Sequence, residues 1–174
     1  EGFENRTQKI DEKLKLFAES EVLIYSKDYP EIENGIKDSI CLSDNKRLKF
    51  LSWSTKENAD QSVREITRDL KRTDIEATYK RHSKTISIPF SDDASIENAI
   101  HCWALLLYLG CDDKLISERF EGLAAVAMRM ELKEGINNCT IINDAYNSDL
   151  GSLEIALDFL NQQKQHKRKV VILS

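Results

Sequence analysis

The sequence predicts an α/β fold: a sheet domain with an antiparallel extension, followed by the first βαβ unit of a Rossmann-like domain. Three observations carry that expectation. Up to Trp53, amphipathic helical segments alternate with short apolar runs of strand length. From Ser62 to Phe90 the helical period disappears, and β-branched and aromatic residues recur between charges. The final segment, from Cys139 onward, reads strand, helix, strand, which is the order of a βαβ unit.

Asn5 or Thr7 caps a first helix in which Ile10, Leu14 and Phe17 recur at i, i+4 and i+7. The apolar run Glu21 to Tyr25 is the first strand, and Asp28-Tyr-Pro30 opens a second helix reaching about Asp38, with proline where a missing amide costs nothing. Leu48 to Trp53 is the next strand. A meander of three antiparallel strands follows, with turns near Arg72-Thr-Asp74 and His82-Ser-Lys84 and with Pro89 near the end of the last strand. Asp93 caps the most apolar helix, Ala94 to Leu109, which Gly110 stops. Its apolar residues cover more than one face, so it lies in the core. Another helix runs from Asp112 to Gly122. A strand from Met128 to Leu132 leads through Gly135 to a strand at Cys139 to Asn143, and Ser152 to Gln163 is an amphipathic helix before the buried strand Val170 to Leu173. The domain boundary falls between residues 127 and 128.

The 174 residues, 41% of them hydrophobic, suffice for one sizeable core or one and a half small domains. A net charge of -5 gives no general attraction to nucleic acid or to a membrane surface, and the basic run Lys164 to Lys169 reads as a solvated turn. No apolar run approaches the roughly 20 residues that span a bilayer, and the start shows no signal pattern, so the chain reads as cytoplasmic. It opens without Met, as an internal piece or a processed chain does. Cys41, Cys102, Cys111 and Cys139 make no C-x-x-C pair, and His82, His101 and His166 lie far apart, so buried reduced thiols are expected rather than a zinc site.

Four segments, in order, carry a resemblance to the Mur ligase family of ATP-dependent amide-bond-forming ligases. Glu1-Gly-Phe3 is similar to the end of the family's A-H-L-E-G-F segment. Asn98-Ala99, followed by an apolar helix ending Leu109-Gly110, resembles G-x-H-N-x-x-N-A-x-A-A, with Asp92, Ala94 and Ser95 in place of the Gly, His and first Asn. Met128-Arg-Met-Glu131 resembles the G-R-M-E of the family hinge, and Thr140 to Asn147 resembles the I-D-D-S-Y-N-A-N segment of its D-alanyl-D-alanine-adding branch.

The resemblance implies that this chain holds the latter part of a central ATPase domain, 1–127, and the opening of the C-terminal domain, 128–174. It implies that Asn98 lies against the nucleotide base, that Arg129 reaches phosphate as a planar two-pronged donor, and that Asp144 meets the ribose, with Tyr146 and Asn147 beside it. Lys13 is the nearest match to a carbamylated lysine that helps hold magnesium in the family, with Lys9 and Lys15 competing and a solvated lysine equally compatible. ATP and magnesium are the implied cofactors. The implied reaction phosphorylates UDP-N-acetylmuramoyl-tripeptide and joins D-alanyl-D-alanine to the acyl phosphate, in an intact protein that resembles the version fused to an alanine racemase. The chain has no G-x-x-x-x-G-K-[ST] loop, so alone it is expected to be inactive.

Taken singly, Asn98 reads as a capping or surface amide, Asp144 as a turn former or N-cap, Arg129 as a solvent-facing strand residue, and Tyr146 as either packing or a platform near the nucleotide. Their joint order distinguishes the ligase reading. Two alternatives stay open: a related Mur-type or folylpolyglutamate-like ligase, and a non-catalytic interaction module on the same fold.

Overall fold

The structure, a computed structural model, describes residues 3–69, 72–124, 131–145, 150–164 and 167–173. The chain divides into two units, Glu1–Leu123 and Ala124–Ser174.

In the first unit, Asn5 accepts a hydrogen bond from the Gln8 amide and starts α1, Arg6–Leu14, which tightens into a 3-10 turn at Lys15–Phe17. β1, Val22–Ser26, leads to α2, Pro30–Asp38, with Pro30 in its first turn. A short helix that the sequence had not signalled, α3, Ile40–Ser43, precedes β2, Lys49–Ser54. β1 and β2 pair in parallel from Val22↔Lys49 to Ser26↔Trp53, with α2 and α3 as the crossover that parallel pairing requires.

β3, Gln61–Asp69, is also parallel to β2, but only at Trp53↔Gln61 and Ser54↔Ser62. Residues 55–60 are too few to return the chain along a whole strand, so β3 overlaps only the last residues of β2. β4, Arg72–Tyr79, and β5, His82–Ile88, complete the antiparallel meander, and the sheet order is β1-β2-β3-β4-β5.

Alternation along the strands sends side chains to two helical layers. Leu23 and Leu48 pack below the sheet with Leu14 and Leu42 of α1 and α3. Leu51, Trp53, Ile75, Ala77 and Ile86 pack above it against α4, Asp93–Tyr108, and α5, Asp113–Glu121. Ile75 is 0% exposed and Ile100 and Trp103 are each 1% exposed, and full burial of such isoleucines contributes roughly 1.5–3 kcal/mol each. Gln61 is also fully buried, and its side-chain amide has no partner among the described residues.

The turns and the cap differ from the sequence reading. Arg72-Thr-Asp74 opens β4 and His82-Ser-Lys84 opens β5. The β4–β5 hairpin turns instead on Lys80 and Arg81, with φ of 48° and 68°. Two successive positive φ angles mark a type I′ turn, whose usual Asn-Gly signature is missing, and the Lys80 ammonium lies 5.1 Å from the Tyr79 ring centroid. Asp92, rather than Asp93, caps α4 by accepting from the Ser95 amide at 2.8 Å. Asp93 is inside the helix and pairs with Arg68 at 2.5 Å. Gly110 ends α4 at φ 73°, where a side chain would be strained. The four cysteines are free thiols, but none is buried: Cys102 and Cys139 are exposed and Cys41 and Cys111 half-buried.

In the second unit, β6, Glu131–Glu134, and β7, Thr140–Asn143, form an antiparallel hairpin, Glu131↔Asn143 to Glu134↔Thr140. α6, Leu150–Gln162, follows. Val170 to Leu173, expected as a buried strand, forms no ladder, and Ile172 is 88% exposed. The α/β class holds, while the βαβ unit lacks its closing strand. A run of four apolar residues signals strand propensity but supplies no partner for its amides. A cavity of about 640 Å³ lies between β7, α6 and this segment, walled by Ile141, Leu153, Leu157, Val171 and Ile172.

Candidate functional site

One group of polar side chains in the first unit, Asp28, Tyr29, Ser54, Thr55, Glu97 and His101, gathers where β1 and β2 end and α4 passes. In open sheets this carboxyl edge is where ligands bind, because side chains and loops meet there without a covering helix. Asp28 follows β1 and acts as an anchor for the loop after β2. It accepts from the Ser54 hydroxyl at 2.5 Å, the Thr55 hydroxyl at 2.6 Å, and the Thr55 amide at 3.0 Å. Burial alone would push the Asp28 carboxyl up. The Ser54 and Thr55 hydroxyls and the Thr55 amide, with Lys56 nearby, outweigh burial and hold it below the usual carboxylate range. Ser54 in turn accepts from the Lys56 and Glu57 amides, so the loop backbone is satisfied by two side chains.

Two further ties fix α4 to this edge. The Tyr29 hydroxyl donates to Glu97 at 2.9 Å. That bond to Glu97, with burial and the nearby acids Asp28 and Glu31, pushes the Tyr29 hydroxyl up to about 12. The Trp53 indole donates to His101 Nδ1 at 3.0 Å, with the two rings edge to face at 85° and 6.2 Å between centroids. An indole N–H can only donate, so Nδ1 carries no proton and the neutral imidazole holds its hydrogen on Nε2. His101 is an exposed residue, but desolvation of its ring lowers its pKa, against an opposing pull from Glu97.

Among the residues expected to act, Asn98 lies on the exposed face of α4 between these two ties. Lys13 is exposed in the last turn of α1, in the layer below the sheet, whereas α4 is in the layer above; the structure does not bring Lys13 and Asn98 together. Asp144 follows β7 in the second unit and borders its cavity. Arg129, Tyr146 and Asn147 lie outside the described residues. Among the described residues there is no group of three or more His, Cys, Asp or Glu side chains that could hold a metal ion. Nor does any helix among them have the length and apolarity to cross a membrane.

Sequence reasoning missed Asp28, Tyr29, Glu97 and His101. For His101 a signal existed: it stands where the N-A-x-A-A pattern has alanine, and it lies three residues from Asn98, hence beside it on the helix. At the start of α4, Asp92 replaces the pattern's glycine and closes the helix with its own carboxylate, and Asp93 adds a second negative charge.

No protein-family model matches the chain. In sequence it is 25% identical over 155 residues to the UDP-N-acetylmuramoyl-tripeptide–D-alanyl-D-alanine ligase of Bacillus subtilis (strain 168), covering 89% of this chain and 31% of that protein. The chain thus spans about a third of the length of this curated relative. In fold it is similar to MurF from Acinetobacter baumannii, with a TM-score of 0.67 and 20% identity over 82% of this chain and 29% of the other. The MurF ligase from Thermotoga maritima in complex with ADP gives a TM-score of 0.59 at 16% identity over 82% of this chain and 31% of the other. Folylpolyglutamate synthetase from Lactobacillus casei gives 0.71 at 12% identity over 95% of this chain and 41% of the other. The resemblance to Mur ligases read from four short segments therefore extends to the sequence as a whole and to the fold.

Proposed function

We propose that this chain is a stretch of an ATP-dependent Mur ligase, one that joins D-alanyl-D-alanine to UDP-N-acetylmuramoyl-tripeptide, and that the stretch supplies the adenosine side of the nucleotide cleft. The observation that carries the reading is the 25% identity along 89% of the chain to a ligase of that activity. The ADP bound to a protein of similar fold supports ATP as the phosphoryl donor.

In this reading ATP gives its γ-phosphoryl group to the tripeptide carboxylate, and the amine of D-alanyl-D-alanine attacks the acyl phosphate. A C–N bond forms as the bond to the phosphate oxygen breaks, and inorganic phosphate leaves. Asn98 contacts the base; Asp144, with Tyr146 and Asn147, serves the ribose, and Arg129 reaches phosphate from a hinge at 127/128, where domain closure assembles the cleft. Asp28, Tyr29 and Trp53 hold the edge on which Asn98 stands. The reading requires a phosphate loop, which this stretch does not contain, and gives Lys13, with Lys9 and Lys15 competing, as a candidate to help hold magnesium. A fused alanine racemase belongs to the same reading.

The test is phosphate release by the intact protein given ATP, magnesium and UDP-N-acetylmuramoyl-tripeptide. Release that requires D-alanyl-D-alanine is expected. Release that instead requires a folate and glutamate would establish the second reading, which the 95% coverage by the folylpolyglutamate synthetase fold favours. Absence of ATP binding by calorimetry would leave an interaction module, the reading that the carboxylates of Asp92 and Asp93 at the head of α4 favour. Alanine racemisation by the same protein would test the fusion.

A further inference from the structure

We propose that His101 selects adenine over guanine at this edge, by presenting a fixed Nε2–H donor beside Asn98. The inference rests on the ligase reading and deepens it. Three observations carry it.

First, Ala94, Asn98 and His101 follow one another at i, i+4 and i+7 on α4, so His101 returns to the side of the helix on which the family pattern carries its own histidine. Here position 94 is alanine and position 101, alanine in that pattern, is histidine. Second, the Trp53 indole occupies Nδ1 at 3.0 Å and removes the usual tautomeric freedom of a surface histidine. The remaining ring nitrogen is a donor, and among the described residues Nε2 has no partner. Third, the Tyr29–Glu97 bond at 2.9 Å ties down the turn of α4 that carries Asn98, so Asn98 and His101 are held as a pair.

The chemistry of the two bases then separates them. An asparagine amide pairs with adenine N6 and N7, and N1 lies on the other side of N6 as an acceptor. Side chains three apart on a helix are about 5–6 Å apart at Cβ, a spacing that suits one group at N7 and its neighbour at N1. Asn98 can turn its amide over and donate to guanine O6, so alone it discriminates weakly. His101 cannot adapt: guanine N1 carries a hydrogen, and Nε2–H would meet it donor to donor. A donor held by a second hydrogen bond rejects the mismatched base because the amide and the imidazole cannot both be satisfied.

The experiment is calorimetric binding of ATP, GTP and 1-deaza-ATP, which lacks the N1 acceptor, to the intact protein and to its His101→Ala and His101→Gln variants. The wild-type protein is expected to bind 1-deaza-ATP about tenfold more weakly than ATP, the value of one neutral hydrogen bond. His101→Ala should lose that difference and lower the ATP-to-GTP preference by a similar factor, and His101→Gln, which keeps a side-chain N–H, should recover part of it. A purely structural role for His101 would weaken all three nucleotides equally. Equal binding of ATP and 1-deaza-ATP by the wild-type protein overturns the proposal even if the variants fail to fold. ATP binding with an unchanged preference in His101→Ala overturns the proposal and leaves the ligase reading standing, whereas a wild-type protein that binds neither ATP nor GTP overturns both.

Discussion

The two units use the same sequence ingredients and reach different degrees of closure. In the first, apolar strands and the apolar helix α4 cover one another, and Ile75, Ala77 and Ala104 are 0% exposed. In the second, α6 and the β6–β7 hairpin leave Ile141 at 49%, Leu157 at 37% and Val171 at 49% exposed around an apolar cavity. In the first unit both faces of the sheet carry a helical layer, whereas the described residues of the second form one hairpin and one helix. Asn98 and His101 stand on α4, the most buried helix of the first unit, and Asp144 borders the cavity of the second.

The comparison can be broken most decisively by truncating side chains in each unit. Trp103→Ala should cost about 3–5 kcal/mol in denaturant unfolding of the first unit, whereas Leu157→Ala, at a side chain already 37% exposed, should cost about 1 kcal/mol or less. Equal losses would remove the distinction.

Next in size is Asp28→Ala, which leaves the Ser54 and Thr55 donors without their acceptor. A loss of about 1–3 kcal/mol is expected, with faster hydrogen exchange confined to residues 54–57. The same carboxyl gives a pH signature. Its folded pKa is depressed, so its contribution is complete above the unfolded value of about 3.9, begins to fall as the pH passes below it, and is gone once the pH drops below the folded pKa. Asp28→Ala should flatten the acid limb of the stability curve in that window. An unchanged acid limb would show that the carboxylate is not held as described.

The smallest effect tests the hairpin. Replacing Lys80-Arg81 with Asn-Gly should stabilise the first unit by about 1 kcal/mol, since those residues adopt positive φ at little cost. Destabilisation would mean that the cation over the Tyr79 ring outweighs the backbone strain.

The sequence carried signals for α1, α2, α4 and α5, for β1 and β2, and for the meander, because each has a local period or a stop such as Gly110. Other features had none. Lys80-Arg81 lacks the residues that announce a type I′ turn, and Asp93, read as the cap of α4, lies one residue past the aspartate that accepts from the Ser95 amide. The unformed strand at Val170 to Leu173 has strand composition, but pairing is a property of its neighbours and not of the run itself. The candidate site divides in the same way. Asn98 was legible from its motif, while the Tyr29–Glu97 and Trp53–His101 ties join residues 68 and 48 apart. No local pattern spans such separations. Arg129, Tyr146 and Asn147, singled out by their motifs, lie outside the described residues.

The central claim is that the exposed amide on α4 touches the nucleotide base of a working ligase. Steady-state kinetics of Asn98→Ala in the intact protein tests it most directly. The KM for ATP should rise about tenfold while kcat and the KM for D-alanyl-D-alanine stay within about twofold of the parent. An unchanged KM for ATP in an active variant would contradict it.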